Sequence, residues 1–218
     1  PVRSQYLGRV LSLWGVLAAI VLVVAMGALA EPHDPESLGP GHDARAYWTA
    51  TLEAPYSPAA YGSSDESFCW TESTWVSDCY RYSPAFLLAF SPLQSLAWPL
   101  FVATWAALML GVLFWMTRSL LFLPAILLAL PEIWGGNITI LLAAAIVVGF
   151  ARPVAWALPL LTKVTPGIGL LWFGVRREWM NLALALAATI AVIALAAVFT
   201  PALWDDWYSQ LMSGTSTS

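Results

Sequence analysis

Long uncharged apolar runs alternate with short charged punctuation along this chain, except for one polar stretch near its start. Val10 to Ala30 is an uncharged run of 21 residues, long enough to cross a hydrocarbon core of about 30 Å as a helix. Glu31 to Ser83 is different in kind. It holds nine of the thirteen acidic residues, both histidines and both cysteines, with Arg45 and Arg81 as its only basic residues. From Pro84 the chain is apolar again. Pro99 to Thr117 reads as a spanning helix that ends at Arg118, and Ser119 to about Ile133 as another, broken near its end by Pro131 and followed by Gly135-Gly136-Asn137. Ile138 to Ala151 runs to Arg152. Two short pieces, Val154 to Thr162 and Pro166 to Val175, flank Lys163-Val164-Thr165, and Arg176-Arg177 precedes a last long span, Met180 to Thr200. The pattern predicts one all-α membrane domain over 1–218, a polytopic transmembrane helix bundle. A first helix (10–30) is followed by a large extracytoplasmic loop (31–83), and helices over 99–200 include short broken ones at 154–175.

Composition agrees with this pattern. Hydrophobic residues make up 60% of the chain, charged residues 10%, and the mean hydropathy is +0.73, whereas a soluble domain carries about 25% charged residues. Thirteen tryptophans suit a protein with two bilayer interfaces. Arg3 and Arg9 precede the first apolar run, so the positive-inside rule predicts a cytoplasmic N-terminus in the cell membrane. Ala28-Leu29-Ala30 resembles a signal-peptide cleavage site, but the apolar run is longer than the roughly 7–15 residues of a signal core. Placing Arg118, Arg152 and Arg176-Arg177 in the cytoplasm leaves Gly135-Gly136-Asn137, Lys163 and Trp204-Asp205-Asp206-Trp207 outside. This alternation segregates six of nine basic residues from eleven of thirteen acidic ones. Pro84–Trp98, with Pro92 in its middle, has no crossing of its own and reads as a helix lying in the outer interface. Residues 201–218 then begin a second extracytoplasmic segment. The missing initiator Met and the polar ending Ser213 to Ser218 read as a fragment, the N-terminal part of a longer protein and inactive by itself.

The two short pieces between Val154 and Val175 reach only about 15 Å each, half of a bilayer core. Broken helices are tolerated at that depth where protein or a water-filled cavity covers the freed backbone. A lysine at the break requires an anionic partner, unless Lys163 snorkels to the headgroups.

Candidate chemistry is sparse. There is no phosphate-binding Gly-rich loop, no Cys/His metal spacing and no nucleophile elbow, and no basic stripe for nucleic acid. No residue cluster demands a metal, though a divalent ion at a carboxylate–phosphate site stays open. Cys69 and Cys79 are a candidate disulfide or two free thiols in an oxidising compartment. Asp43 and Tyr47 are four apart and would share a helical face. A carboxylate there suits a general base toward a hydroxyl; the competing reading is a helix N-cap. Arg81, in Tyr80-Arg-Tyr-Ser-Pro-Ala-Phe86, has the planar fork that pairs with phosphate oxygens. Its aromatic neighbours, Tyr82 among them, suit either a sugar or an interfacial belt.

The order of these short motifs resembles the polyprenyl-phosphate-mannose-dependent α-1,2-mannosyltransferases, glycosyltransferase family 87 of the GT-C superfamily. The likeness runs from Asp43-x-x-x-Tyr47 through Tyr80 to Pro84, Pro92-Leu93, Gly135-Gly136-Asn137, Lys163-x-x-Pro166 and Arg176-Arg177-x-Trp179 to Trp204–Trp207. Departures are Gly136, where relatives often carry Gln, and the insert with Cys69 and Cys79. The resemblance implies a GT-C-like bundle without a cofactor. The donor would be a polyprenyl-phosphate sugar, mannose or a relative such as arabinose, and the acceptor a glycolipid or polysaccharide at the extracytoplasmic face. Asp43 would be the inverting general base, with Tyr47, Arg81, Tyr82, Asn137 and Lys163 as substrate-binding residues. Two other classes compete. A secondary transporter or lipid flippase would use the broken-helix site at Lys163 but needs ionisable residues deep within several spans, and the long spans have none. A non-catalytic subunit would bind partners through the acidic loop.

Overall fold

Backbone N–H and C=O groups in hydrocarbon have no water to bond, so each segment must satisfy them internally, and every regular element among the described residues is helical. The computed structural model describes residues 2–30, 39–57, 80–163 and 165–215. In chain order these form α1 (Val2–Leu29), α2 (Arg45–Thr49), α3 (Pro84–Phe90) with a 3-10 turn at Ser91–Ser95, α4 (Trp98–Gly135) and α5 (Thr139–Ala151). A 3-10 turn at Pro153–Trp156 leads into α6 (Ala157–Thr162), and another at Thr165–Gly169 leads into α7 (Leu170–Val175). These are followed by α8 (Trp179–Phe199) and α9 (Pro201–Thr215). The Cys69–Cys79 pair lies outside the described residues.

Among the described residues three stretches are long and apolar enough to cross a membrane: Val10–Leu29, Trp98–Thr117 and Trp179–Phe199, with mean hydropathies of 2.5, 1.9 and 2.7. Trp14, Val21 and Val24 on α1, and Ile190, Leu195 and Val198 on α8, are each more than half exposed. So much uncovered apolar surface is an aggregation liability in water and the ordinary outer face of a helix in lipid. The chain has the character of a multi-pass membrane protein.

Two compact units make up the fold, Pro1–Trp48 with Leu96–Ala144, and Thr49–Ser95 with Ala145–Ser218. In the first, α1 packs along α4, close enough at Gly27 that a Cβ there would meet the Ala103 methyl at 3.1 Å. α4 spans Trp98–Gly135 as one element, but its path is not straight. The Trp105 indole N–H donates to the Gly136 carbonyl at 2.7 Å, although 31 residues of straight helix would separate them by about 46 Å. Phe114 and Phe122 meet edge to face at 5.0 Å between centroids, so α4 doubles back between them. Its two arms, Trp98–Thr117 and Leu121–Gly135, lie side by side. Pro131 does not break the second arm, contrary to the sequence reading. The helix continues to Gly135 and ends on Gly136 in the left-handed conformation (φ 73°), a common helix stop.

In the second unit, Ala85, Leu161 and Ala196 form one core, flanked by Leu88, Ile193 and Trp204. Trp156, Phe173 and Ala185 form another, with the Trp156 indole slotted where a Cβ on Gly149 or Gly169 would collide with it. The helix expected over Pro84–Trp98 is shorter: α3 stops at Phe90 and a 3-10 turn follows. After Phe199 the polar ending is helical as far as Thr215.

Because Trp105 ties the two arms of α4 together, Trp105→Phe should keep the ring packing yet leave the Gly136 carbonyl unpaired. The expected loss is about 1–3 kcal/mol, read as a lowered midpoint in denaturant or thermal unfolding in detergent. An unchanged midpoint would show that the hairpin does not depend on this bond.

Candidate active site

The turn Gly39–Ala44 is docked by its backbone onto the end of α4. Gly41 N–H donates to the Trp134 carbonyl at 2.7 Å, and the N–H groups of Asp43 and Ala44 donate to the Gly135 carbonyl at 2.8 and 3.3 Å. Both chains bend through left-handed glycines, Gly41 at φ 82° and Gly136 at φ 73°. The approach is tight enough that a Cβ on Gly136 would lie 2.7 Å from the Ala44 methyl. Asp43 therefore sits on a fixed turn two residues before α2 begins at Arg45.

Its carboxylate is held from two sides. Oδ2 accepts from Asn137 Nδ2 at 3.0 Å. Asn137 Oδ1 accepts in turn from the Thr139 hydroxyl at 2.7 Å and the Thr139 N–H at 3.2 Å. Two donors on that oxygen fix which end of the amide faces Asp43. Oδ1 lies 3.6 Å from His42 Nε2, with the His42 and Asp43 side chains 26% and 42% exposed. The floor is Gly135, where a Cβ would come within 3.2 Å of both Asp43 Oδ2 and His42 Nε2. Asp43 is thus a positioned carboxylate that still reaches solvent, the arrangement a general base requires.

Tyr47 is almost fully buried, its ring 5.4 Å from that of Trp105, so the ring belongs to the packed interior of this unit. Trp48 donates its indole N–H to the Leu96 carbonyl at 2.9 Å, and the buried Arg45 guanidinium lies 5.6 Å from the Trp98 ring.

Arg81, Tyr82 and Lys163 belong to the second unit. Three successive carbonyls there are bonded by side chains from elsewhere. Tyr80 accepts from Gln210 Nε2 at 3.4 Å, Arg81 from Trp207 Nε1 at 3.4 Å and Tyr82 from the Tyr56 hydroxyl at 2.8 Å. The Tyr80 hydroxyl donates to the Ser83 carbonyl at 3.0 Å. An aromatic run passes through Tyr56, Tyr80, Tyr82, Phe86 and Phe90, with neighbouring centroids 4.4–5.8 Å apart. Burial lowers the pKa of the Arg81 guanidinium, against the influence of neighbouring Tyr82, but an arginine remains cationic. Lys163 ends α6 in extended conformation, φ −133° and ψ 116°, at the break between the two short helical pieces. A cavity of about 390 Å³ opens between α3, α6 and α8, lined by Phe86, Phe90, Val154, Leu158, Leu161 and Thr162 among others. Its lining is mostly apolar, and Thr162, next to Lys163, is a polar residue within it.

Among the described residues no group of three or more His, Cys, Asp or Glu side chains is placed to hold a metal. Sequence reasoning missed three features. His42 was passed over beside the more obvious Asp43. Asn137 emerged as a motif residue but not as the partner of Asp43, 94 positions away. Glu132, the lone charge between Leu121 and Gly135, has a buried Oε2 without a hydrogen-bond partner; its isolation in an apolar run was the available signal.

Residues 80–218 match the model of glycosyltransferase family 87, well over half of the chain. No curated protein and no solved structure matches. The matched region opens at Tyr80, the first of the three bonded carbonyls, and includes Asn137 and Lys163; Asp43 precedes it.

Gly136→Ala should cost at least about 1–2 kcal/mol from its left-handed backbone alone, with the collision against Ala44 added. Hydrogen exchange should speed up at the amides of Gly41, Asp43 and Ala44 and stay unchanged in α8. Uniform acceleration, or none, would contradict the docking described here.

Proposed function

The chain belongs to glycosyltransferase family 87 of the GT-C superfamily, a family of membrane-associated sugar-transferring enzymes, and on that premise we propose that Asp43 is the general base of an inverting transfer. The donor in this reading is a polyprenyl-phosphate sugar, mannose by the resemblance noted above. The acceptor is a hydroxyl of a glycolipid or glycan at the extracytoplasmic face, with the N-terminus in the cytoplasm. The acceptor oxygen attacks the anomeric carbon while its proton passes to Asp43. The bond from that carbon to the phosphate oxygen breaks, its electron pair leaves with the lipid phosphate, and the configuration inverts. Neither a nucleotide nor a covalent intermediate is needed.

The observation that carries this reading is the seat of Asp43. A carboxylate fixed by the Asn137 amide, on a turn whose Asp43 N–H donates to the Gly135 carbonyl and over a floor without a side chain, loses little freedom on meeting the acceptor, and such positioning is a large part of a rate enhancement. Asn137 therefore acts on the base rather than on substrate. On the resemblance, Lys163 and Arg81 of the second unit are assigned to the leaving phosphate, whose developing charge a cation stabilises. The apolar cavity bordered by Thr162 suits the first isoprene units of the donor, and Tyr82 offers a ring for a sugar to stack on. Family membership favours transfer over transport at the Lys163 break, and over a purely structural subunit.

The test uses the full-length protein in membranes with radiolabelled polyprenyl-phosphate mannose. Asp43→Asn should lower transfer by about 10²–10⁴-fold at matched expression. Equal transfer by the variant would remove Asp43 from the mechanism, and no transfer by wild type from any polyprenyl-phosphate sugar would remove the reaction itself. Asn137→Ala deletes one hydrogen bond to a charged group, about 1.5–3 kcal/mol, so kcat should fall roughly 10- to 150-fold with KM little changed. A change confined to KM would return Asn137 to substrate binding.

A further inference from the structure

We infer that His42 is the second proton acceptor of this site, carrying to solvent the proton that Asp43 takes from the acceptor hydroxyl; the inference rests on the assignment of Asp43 as base. The argument starts from the ring nitrogens. His42 Nδ1 lies 3.1 Å from the Gly39 carbonyl, and a carbonyl only accepts, so Nδ1 carries the hydrogen. In the neutral ring Nε2 is then a bare lone pair, and it faces Asp43 Oδ1 at 3.6 Å. Nε2 is therefore the acceptor to which a proton on Oδ1 can pass. The other Asp43 oxygen is occupied by Asn137, which leaves Oδ1 as the side from which a proton departs.

Three further observations fit a relay. The Gly39 turn holds the ring at its far nitrogen, so the near one cannot rotate away without losing that bond. Gly135 has no Cβ, and one placed there would come to 3.1 Å from His42 Cε1 and 3.2 Å from both Nε2 and Asp43 Oδ2, so the absent side chain is what lets ring and carboxylate approach. The His42 side chain is 26% exposed, giving its proton an exit to water. Besides Asp43, the titratable groups among the described side chains of the elements packed against this turn are Tyr47, buried against Trp105, Arg45, whose guanidinium is directed to Trp98, and Glu132 on α4.

The step balances. The acceptor O–H bond breaks as its oxygen bonds to the anomeric carbon, and the proton goes to an Asp43 oxygen. The proton then moves from Oδ1 to His42 Nε2, restoring the carboxylate and leaving an imidazolium that loses a proton to water. No oxidant or further reactant enters. His42 touches Asp43 and not the reacting atoms, so its action is on turnover.

The experiment measures kcat against pH for wild type, Asp43→Asn and His42→Asn in the full-length protein with radiolabelled polyprenyl-phosphate mannose. Asn at position 42 keeps a donor for the Gly39 carbonyl but has no basic nitrogen. Wild type should lose kcat toward acid pH through an acidic limb. His42→Asn should lower kcat roughly 100-fold, the low end of proton-transfer effects, with KM unchanged and that limb altered. Added imidazole should restore part of the rate to His42→Ala, whose missing ring leaves room beside Gly135. A wild-type profile without an acidic limb overturns the inference without any variant. So does a His42→Asn profile that keeps the wild-type limb and rate. If Asp43→Asn is inactive in either case, the relay alone is lost; if Asp43→Asn is active, the base assignment falls and the relay with it.

Discussion

Gly41 and Gly136 meet where two strands of backbone must approach each other more closely than side chains permit. The turn leaving α1 and the end of α4 both expose backbone donors and acceptors near the edge of an apolar bundle, where an unpaired peptide group is costly. They satisfy one another: N–H groups of residues 41, 43 and 44 bond the carbonyls of 134 and 135, and Trp105 takes the carbonyl of 136. Left-handed φ values at both glycines and the absence of a Cβ opposite Ala44 make this fit possible. Asp43, His42, Asn137 and the burial of Tyr47 all follow from it.

The second unit solves a similar problem by other means. Its segment 80–82 has no strand or helix to take up its carbonyls, so three side chains do so, one from each of Tyr56, Trp207 and Gln210. Two of those donors lie on α9, which explains why the polar ending after Phe199 is an ordered helix. Trp207 and Gln210 stand three apart and so share one face, and that face is turned to the carbonyls.

The long spans were legible in the sequence because hydrophobic length is a local property; Val10–Leu29 within α1, Trp98–Thr117 and α8 fall within one residue of the apolar runs that predict them. The break at Lys163 was legible for the same reason, since Lys and Pro interrupt the run. Pro131 misled, because a proline late in a helix can be accommodated once its neighbours cover the freed carbonyl. The ordered helix Pro201–Thr215 was hidden by its mixed polarity. Least legible was the site. Asp43 stood out as a motif residue, but its bond to Asn137 joins positions 94 apart, and no local pattern encodes a contact of that span. Tyr47 illustrates the same limit: spacing put it on a face with Asp43, whereas packing against Trp105 decided where its ring went.

The bond from the Tyr56 hydroxyl to the Tyr82 carbonyl closes the chain into a ring that begins before and ends after the stretch 58–79. A covalent path between two anchored points contributes closure entropy that rises only with the logarithm of its length, about 0.6 kcal/mol for each doubling. The places of Tyr80, Arg81 and Tyr82 are then set by partners at 210, 207 and 56, whatever the length of chain that joins Tyr56 to Tyr80.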